Sequence, residues 1–324
     1  MVHVLTDDDI EQVVDLVELL DVVEKGLIAQ YEGRVERPAR PHLPVGTGLD
    51  GEQPHGMGLV MPAYVHGSPY FVTKLVGLFE GNRERGLPTI RGSIVVIDAR
   101  TGETLGLLEG TRITNARTGC VGGVAARALS QGPVVVGVLG AGQQGRWQSR
   151  AIAAGCDVTD IRIYSPSVSR FDCATDLGEE GLPARAVDSA WAAVDGADIV
   201  VTATTSEEPV FPRDALKEDV LVIAVGAFTS DMQEVEAAVV EDARQVFGDV
   251  PEEVAEVGDI KQAAIDPSEI DPLGGFLAHD IEGARANGIT LVESVGSAVF
   301  DAVVTEQLFD EARAGELGVS LPFQ

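Results

Sequence analysis

The chain has 324 residues, 45% of them hydrophobic and 5% aromatic, which is enough for two domains and a sizeable apolar core. Its formal charge is −29, from 52 acidic and 23 basic residues spread along the whole length, and such a field repels nucleic acid and anionic membrane surfaces, so neither is an expected partner. No apolar run approaches the ~20 residues that span a bilayer, and the opening MVHVLTDDDIEQ lacks the basic start and apolar core of a signal peptide.

These features fit a cytoplasmic location, and Cys120, Cys156 and Cys173 are too few and too scattered for a disulfide framework or a zinc site. Residues 7–31 carry one helical period that opens on aspartates, as suits a helix N-terminus. From Leu59 to Leu108 the pattern changes to short apolar runs, LVMPAYV, YFVTKLVGLF, SIVVIDA and LGLLEG, separated by Gly, Pro and Asn. Those turn signals predict a mostly antiparallel sheet. NARTGCVGGVAARALS then reads as a close-packing helix rich in small residues.

From Val134 onward strands and helices alternate. Candidate strands lie at 134–140, 161–164, 184–187, 198–204, 220–226 and 245–248, with helices at 143–154 and 188–195. Alternation of this kind implies right-handed βαβ crossovers and a doubly wound parallel sheet. The acidic stretch DVPEEVAEVGD, 249–259, is most simply a solvated helix, and SAVFDAVVTEQLFDEAR closes the chain as a helix that returns to the first domain. The fold class is therefore α/β, a Rossmann doubly wound sheet plus an α+β domain.

The run Val134 to Leu139 has no alternation, as expected of a strand buried on both faces, and GAGQQG follows at once. In that context Gly140 allows the tight turn, Gly142 lets a pyrophosphate approach the backbone and Gly145 allows close helix–strand packing. A helix starting near Gln143 and Gln144 would aim its free N–H groups at the phosphates. The acid that holds the ribose 2′-hydroxyl of NAD belongs at the end of the second strand, where IRIYSPSVSR has none. Ser165, Ser167 and Arg170 would suit a 2′-phosphate instead, so NAD(P)H is the expected cofactor, with NADPH favoured over NADH.

Lys74 is one of only four lysines and lies inside the apolar run YFVTKLVGLF, where an ammonium is costly to bury without an anion. With Arg40 in RPARPHLP and Arg117 in TNARTG it makes a candidate carboxylate-binding set, because guanidinium forks match carboxylates. The histidines are dispersed and none has metal-ligand spacing, so no metal is expected; His55 reads as a loop residue and Trp147 as a packing residue.

RPARPHL, MPAYV, TKLVGLFEGNRERGLPTIRGSIVVIDARTGETLGLLEGTRITNARTG, GVLGAGQQG, VGAFTSDMQEV and ITLVESVGSAVFD, in this order, resemble the ornithine cyclodeaminase/mu-crystallin family over nearly the whole chain. The resemblance implies a substrate-binding and dimerisation domain at 1–120 plus 298–324, an NAD(P)-binding Rossmann domain at 121–297, and a homodimer. It implies that Arg40, Lys74 and Arg117 hold the α-carboxylate of a small amino or imino acid. It places Gly140, Gly142 and Gln143 at the pyrophosphate, with Thr204, Gly226 and Val295 as further cofactor neighbours.

Cyclodeaminases and the related archaeal alanine dehydrogenase carry an aspartate two residues after the glycine of the VG strand end; here Phe228 stands there, and Leu59 replaces the cyclodeaminase glutamate before MP. A phenyl ring cannot move a proton. Reduction of a cyclic ketimine carboxylate asks less of the protein, since the imine arrives protonated and the main task is orientation. The expected activity is NAD(P)H-dependent reduction of Δ1-pyrroline-2-carboxylate to L-proline or Δ1-piperideine-2-carboxylate to L-pipecolate. Alternatives are ornithine cyclodeaminase, with Asp231 as a third catalytic candidate beside Lys74 and Arg117, alanine dehydrogenase, and a non-enzymatic mu-crystallin-like binder. The acid coat with few lysines resembles that of proteins adapted to high salt.

Overall fold

A computed structural model of the protein describes residues 1–279 and 288–322. In chain order its strands and helices begin β1 (Val2–Leu5), α1 (Asp7–Glu11), α2 (Leu16–Tyr31), β2 (Val35–Glu36) and β3 (His42–Val45). There follow β4 (Gly56–Val65), β5 (Tyr70–Leu78), β6 (Ile90–Asp98), β7 (Thr104–Glu109) and α3 (Gly110–Leu129). Next come β8 (Val134–Leu139), α4 (Gln143–Gly155), β9 (Val158–Tyr164), α5 (Ser169–Glu179), β10 (Ala184–Ala186), α6 (Ala190–Val194) and β11 (Ile199–Thr202). Then come β12 (Val220–Ala224), α7 (Ala237–Glu241), β13 (Ala243–Gly248), α8 (Pro251–Val254) and α9 (Gly258–Lys261). The last are β14 (Ile270–Pro272), α10 (Leu273–His279), β15 (Ile289–Glu293), α11 (Ala298–Ala314) and β16 (Val319–Leu321).

The chain divides into two units, Met1–Asp15 with Gly33–Arg117 and Ala298–Gln324, and Leu16–Glu32 with Thr118–Ser297. The first unit is built on a sheet in the order β16-β1-β7-β6-β5-β4-β2, with β3 paired to β4. β4 through β7 are antiparallel neighbours, as the turn-punctuated sequence predicts. One face of these strands carries Met61, Ala63, Val72, Ile94, Val96 and Leu108, all buried. The helix α11 packs on β4 and β5 of this unit.

The second unit holds a parallel sheet in the order β10-β9-β8-β11-β12-β15-β13-β14. β8 is the first strand in sequence and lies inside the sheet, with β9 on one side and β11 on the other. The strand order reverses there, and in such sheets ligands bind outside the carboxyl ends of the strands at the reversal. The valine-rich β8, β11 and β12 are buried almost throughout, which explains their lack of alternation.

Four sequence expectations need correction. The period over residues 7–31 is two helices, α1 and α2, which belong to different units. Thr6 caps α1 through a reciprocal box with Asp9. α2 buries Leu19, Leu20, Val23 and Leu27 and packs on α4 and α10, so residues 16–32 belong with the second unit and not the first. Each of those leucines contributes roughly 1.5–3 kcal/mol by burial, more than propensity gives a helix of this length. β9 starts at Val158, and β14 and β15 are strands that the alternation did not mark. The segment 249–259 is not one solvated helix: α8 and α9 are single turns, and Asp249 and Asp259 are buried.

Candidate active site

In the first unit, alternation along β5 turns Tyr70, Val72 and Lys74 toward the covered face of the sheet. Lys74 is 1% exposed, so its ammonium needs a partner, and the residue that supplies it is Asp301, in the first turn of α11. Lys74 Nζ lies 2.7 Å from Asp301 Oδ2 and donates to Thr114 Oγ1 at 3.3 Å. Arg117 Nε donates to Asp301 Oδ1 at 3.1 Å.

One carboxylate thus bridges two buried cations, leaving the group with a net positive charge. Burial pulls the Lys74 ammonium down to about 8; Asp301 opposes that fall, and the charges of Arg117 and Arg40 add to it. Arg40, half-buried on the segment between β2 and β3, is therefore electrostatically part of the group. A cluster with surplus positive charge inside a chain of charge −29 is suited to an anionic ligand. Asp301 was not marked by the sequence, where it is one acid among many; its one signal is its position inside the apolar run SAVFDAVV.

In the second unit the three glycines of GAGQQG have separate steric reasons. Gly140 adopts φ +113°, and a Cβ there would lie 2.3 Å from the carbonyl oxygen of Ala203. A Cβ on Gly145 would stand 2.0 Å from the Gly140 oxygen, so glycine is what lets α4 sit this close to β8. At Gly142, the N-cap of α4, no atom beyond its chain neighbours lies within 4 Å of where a Cβ would be. Gly140 and Gly145 are required by the fold itself, whereas Gly142 leaves open space in front of the N-terminus of α4, which Gln143 and Gln144 begin. That arrangement fits a pyrophosphate held on backbone N–H groups.

At the end of β9, the Ser165 and Ser167 hydroxyls lie 3.2 Å apart and those of Ser167 and Ser169 2.6 Å apart. Arg170 Nη1 donates to the carbonyls of Ser165 and Ser167, and its guanidinium stacks 4.5 Å from the Phe171 ring. The structure brings these predicted residues together and adds Ser169. Asp231 is exposed and accepts a hydrogen bond from Ser230, and Phe228 is 51% exposed on the same loop. His55 is an exposed loop residue paired with Asp50, and Trp147 is buried against Gly119. Among the described residues no group of His, Cys, Asp or Glu is placed to hold a metal ion.

The remaining predicted positions, Thr204, Gly226 and Val295, follow the ends of β11, β12 and β15, and each donates its backbone N–H to a buried carboxylate. Glu234 accepts from Thr204 N at 2.5 Å, from Gly226 N at 2.8 Å and from the Thr202 hydroxyl at 2.9 Å. Asp249 accepts from Val295 N at 3.1 Å, Gly296 N at 2.8 Å and the Ser294 hydroxyl at 2.6 Å. Asp259 in turn accepts from the backbone N–H groups of Glu234 and Val235. Its other oxygen interacts with the Glu293 carboxyl, and among the described residues neither that oxygen nor the Glu293 carboxyl meets a protein donor. Burial holds Glu293 well above the usual carboxylate range, and the neighbouring acids Asp259, Glu234 and Asp249 add to the shift. Sequence reasoning missed all four acids.

Known proteins of the same architecture carry informative names. The chain is 32% identical over 314 residues to Delta(1)-pyrroline-2-carboxylate reductase 1 of Burkholderia multivorans, covering 95% of each. It is 31% identical over 293 residues to the Delta(1)-pyrroline-2-carboxylate/Delta(1)-piperideine-2-carboxylate reductase of Azospirillum brasilense, covering 90% of each. Among solved structures, Thermococcus litoralis Delta(1)-pyrroline-2-carboxylate reductase in complex with NADH and L-proline matches at a TM-score of 0.91 and 29% identity, covering 98% of this chain and 100% of that one. The model of the ornithine cyclodeaminase/mu-crystallin family matches residues 2–316, and the chain belongs to that family.

Proposed function

We propose that the protein is an NAD(P)H-dependent reductase that converts a cyclic ketimine carboxylate, Δ1-pyrroline-2-carboxylate or Δ1-piperideine-2-carboxylate, to the corresponding cyclic amino acid. The observation that carries this reading is the Lys74–Asp301–Arg117 cluster, a buried positive site in an acidic chain. Relatives named for the same reaction, over 90–95% of the chain, support it. When bound, the reduced nicotinamide supplies the hydride that saturates the C=N bond.

The work of this chain's residues is then anchoring. Arg117 and Arg40 offer guanidinium forks and Lys74 an ammonium to the substrate carboxylate, which fixes the imine carbon in position. Asp301 favours the charged form of Lys74, opposing the pull of burial. Phe228 occupies the position of the deaminase aspartate and presents only hydrocarbon, which suits a substrate that brings its own proton and disfavours ammonia chemistry.

Gly140, Gly142 and the first turn of α4 would hold the pyrophosphate, with Thr204, Gly226 and Val295 at the nicotinamide end. Ser165, Ser167 and Arg170 favour a 2′-phosphate, hence NADPH, by hydroxyl and guanidinium donors on a segment, 163–170, that contains no acid. The uncovered face of the first unit's sheet presents Leu75 and Leu107, each more than 40% exposed, with Val95 opposite Leu107 and Phe71, Thr73, Ser93 and Ile97 on the same side. An apolar sheet face of this kind fits a second copy of the chain, and we read the protein as a homodimer. We read it also as a cytoplasmic protein of a salt-rich cell; no helix among the described residues is long and apolar enough to cross a membrane.

The test is to follow NADPH and NADH oxidation by the purified protein in molar KCl with each cyclic imine, and with pyruvate plus ammonium. Imine-dependent oxidation that falls by more than ~100-fold in kcat/KM in Lys74→Ala and Arg117→Ala is expected, since losing one partner of a buried charged contact costs about 2–5 kcal/mol. Proline formed from ornithine would overturn the reading and return Asp231 to the role of base.

A further inference from the structure

The carboxylates beneath the strand ends take no part in anchoring the substrate, yet one of them ties together the two loops that follow neighbouring strands. Glu234 is fully buried, and its two oxygens accept three hydrogen bonds: from Thr204 N–H after β11, from Gly226 N–H after β12, and from the hydroxyl of Thr202 at the end of β11. A Cβ on Gly226 would stand 2.5 Å from Glu234 Oε1 and 2.3 Å from the Thr204 carbonyl oxygen, so the loop is glycine because the carboxylate and its neighbour occupy the space. Asp259 holds the Glu234 backbone from α9 in the same way.

Resting on the reading that these loops neighbour the nicotinamide, we propose that Glu234 is a positioning residue for the cofactor, whose ionised carboxylate clamps the Thr204 and Gly226 loops and whose protonation releases them. The donor set favours the ionised form. The Thr204 and Gly226 N–H groups, one on each oxygen, can only donate; once the carboxyl is protonated the Thr202 hydroxyl must turn from donor to acceptor to receive its O–H, and the two amides lose charge-assisted bonds to a carboxylate. A buried amide left without its acceptor drives the loop to move, because the unmade bond costs far more than the bond contributes.

The groups facing Glu234 are the Thr202 hydroxyl and the Thr204 amide from the β11 end, the Gly226 amide from the β12 end, and Asp259 from α9; Glu293 at the end of β15 interacts with both Glu234 and Asp259, and Asp249 after β13 with Glu293. The titratable groups named here are all acids, with no cation among them. Burial pushes Glu234 up to about 7, the Thr204 and Thr202 donors oppose the rise and the Asp259 charge adds to it, so the clamp changes state within the working range of a cytoplasmic enzyme. Burial raises Asp259 as well, to about 6, and the backbone N–H groups of Val235 and Glu234 oppose that rise.

The experiment is fluorescence titration of the full chain with NADH, which unlike NADPH carries no 2′-phosphate to titrate, from pH 5.5 to 8.5 in molar KCl. Wild-type Kd is expected to rise about tenfold as the pH falls through about 7, the ionised form being the binding form. Glu234→Gln, a neutral mimic of the protonated acid with the same shape, is expected to bind NADH about tenfold more weakly at pH 8.5 and to show no such rise, its Kd meeting the wild-type value at low pH. A wild-type Kd flat across the range, or a Glu234→Gln profile with the wild-type shape, would overturn the clamp while leaving the cofactor reading intact. Failure of the wild type to bind NADH or NADPH at pH 8.5 would instead overturn the cofactor reading itself.

Discussion

Asp301 is placed so that two buried cations depend on it. Lys74 and Arg117 each meet one of its oxygens, and all three side chains are almost wholly withdrawn from solvent. Replacing it by asparagine keeps the shape and removes the charge. Breaking a buried ion pair from one side costs about 3–5 kcal/mol, because the partner left behind is a desolvated charge. Asp301→Asn should therefore lower stability by that amount in thermal or denaturant unfolding at pH 7. It should also let burial pull the Lys74 proton off at lower pH than in the wild type, weakening the carboxylate anchor. An unfolding free energy within 1 kcal/mol of wild type would show that the cations do not rely on Asp301. Legibility at this scale depends on rarity. Lys74 stood out because lysine is scarce here and apolar strands seldom hold one. Asp301, Glu234 and Glu293 lay hidden among 52 acids, since burial of a carboxylate leaves no mark on sequence when carboxylates are everywhere.

Among the elements, the turn between β8 and α4 separates what the fold demands from what a ligand demands. Gly140 and Gly145 are fixed by backbone atoms of their own unit, while Gly142 has an ordinary negative φ and open space beside it. Gly142→Ala should consequently leave unfolding within about 0.5 kcal/mol of wild type, yet weaken NADH or NADPH binding by more than ~10-fold, because the methyl stands where a pyrophosphate approaches the helix end. Gly145→Ala should damage both, since its methyl meets the Gly140 carbonyl. Equal losses of stability in the two variants would refute the distinction. The same element was legible from sequence because a valine run, three glycines and a helix follow one another without interruption. β14 was not: three residues, one of them proline, give alternation nothing to repeat. Nor was the break at Gln12–Asp15, where no Gly or Pro intervenes; α1 and α2 part because their apolar faces are buried in different units, a tertiary cause that local pattern does not carry.

For the whole molecule, charge and the uncovered sheet face act against each other. Each chain carries −29, so bringing two copies together at low ionic strength opposes like fields, while burial of Leu75, Leu107 and their apolar neighbours favours association. Salt shifts that balance: the screening length falls from about 10 Å at 0.1 M to about 3 Å at 1 M, which removes repulsion between exposed carboxylates and leaves the apolar contact untouched. The protein should therefore be a dimer in molar KCl, and dissociate as KCl is diluted, in sedimentation velocity. Leu107→Asp should be monomeric even in molar KCl, because a charge in the middle of the apolar face costs several kcal/mol to bury and screening does not repay that. Leu107 is exposed within its own unit, so the variant monomer should retain its fold, and a secondary-structure spectrum unchanged in molar KCl checks this. A wild-type chain that stays monomeric in molar KCl would mean that another partner, or water alone, meets this face. A dimer that persists undiminished without salt would mean instead that the apolar contact outweighs the repulsion, and that the acid coat is set by something other than assembly.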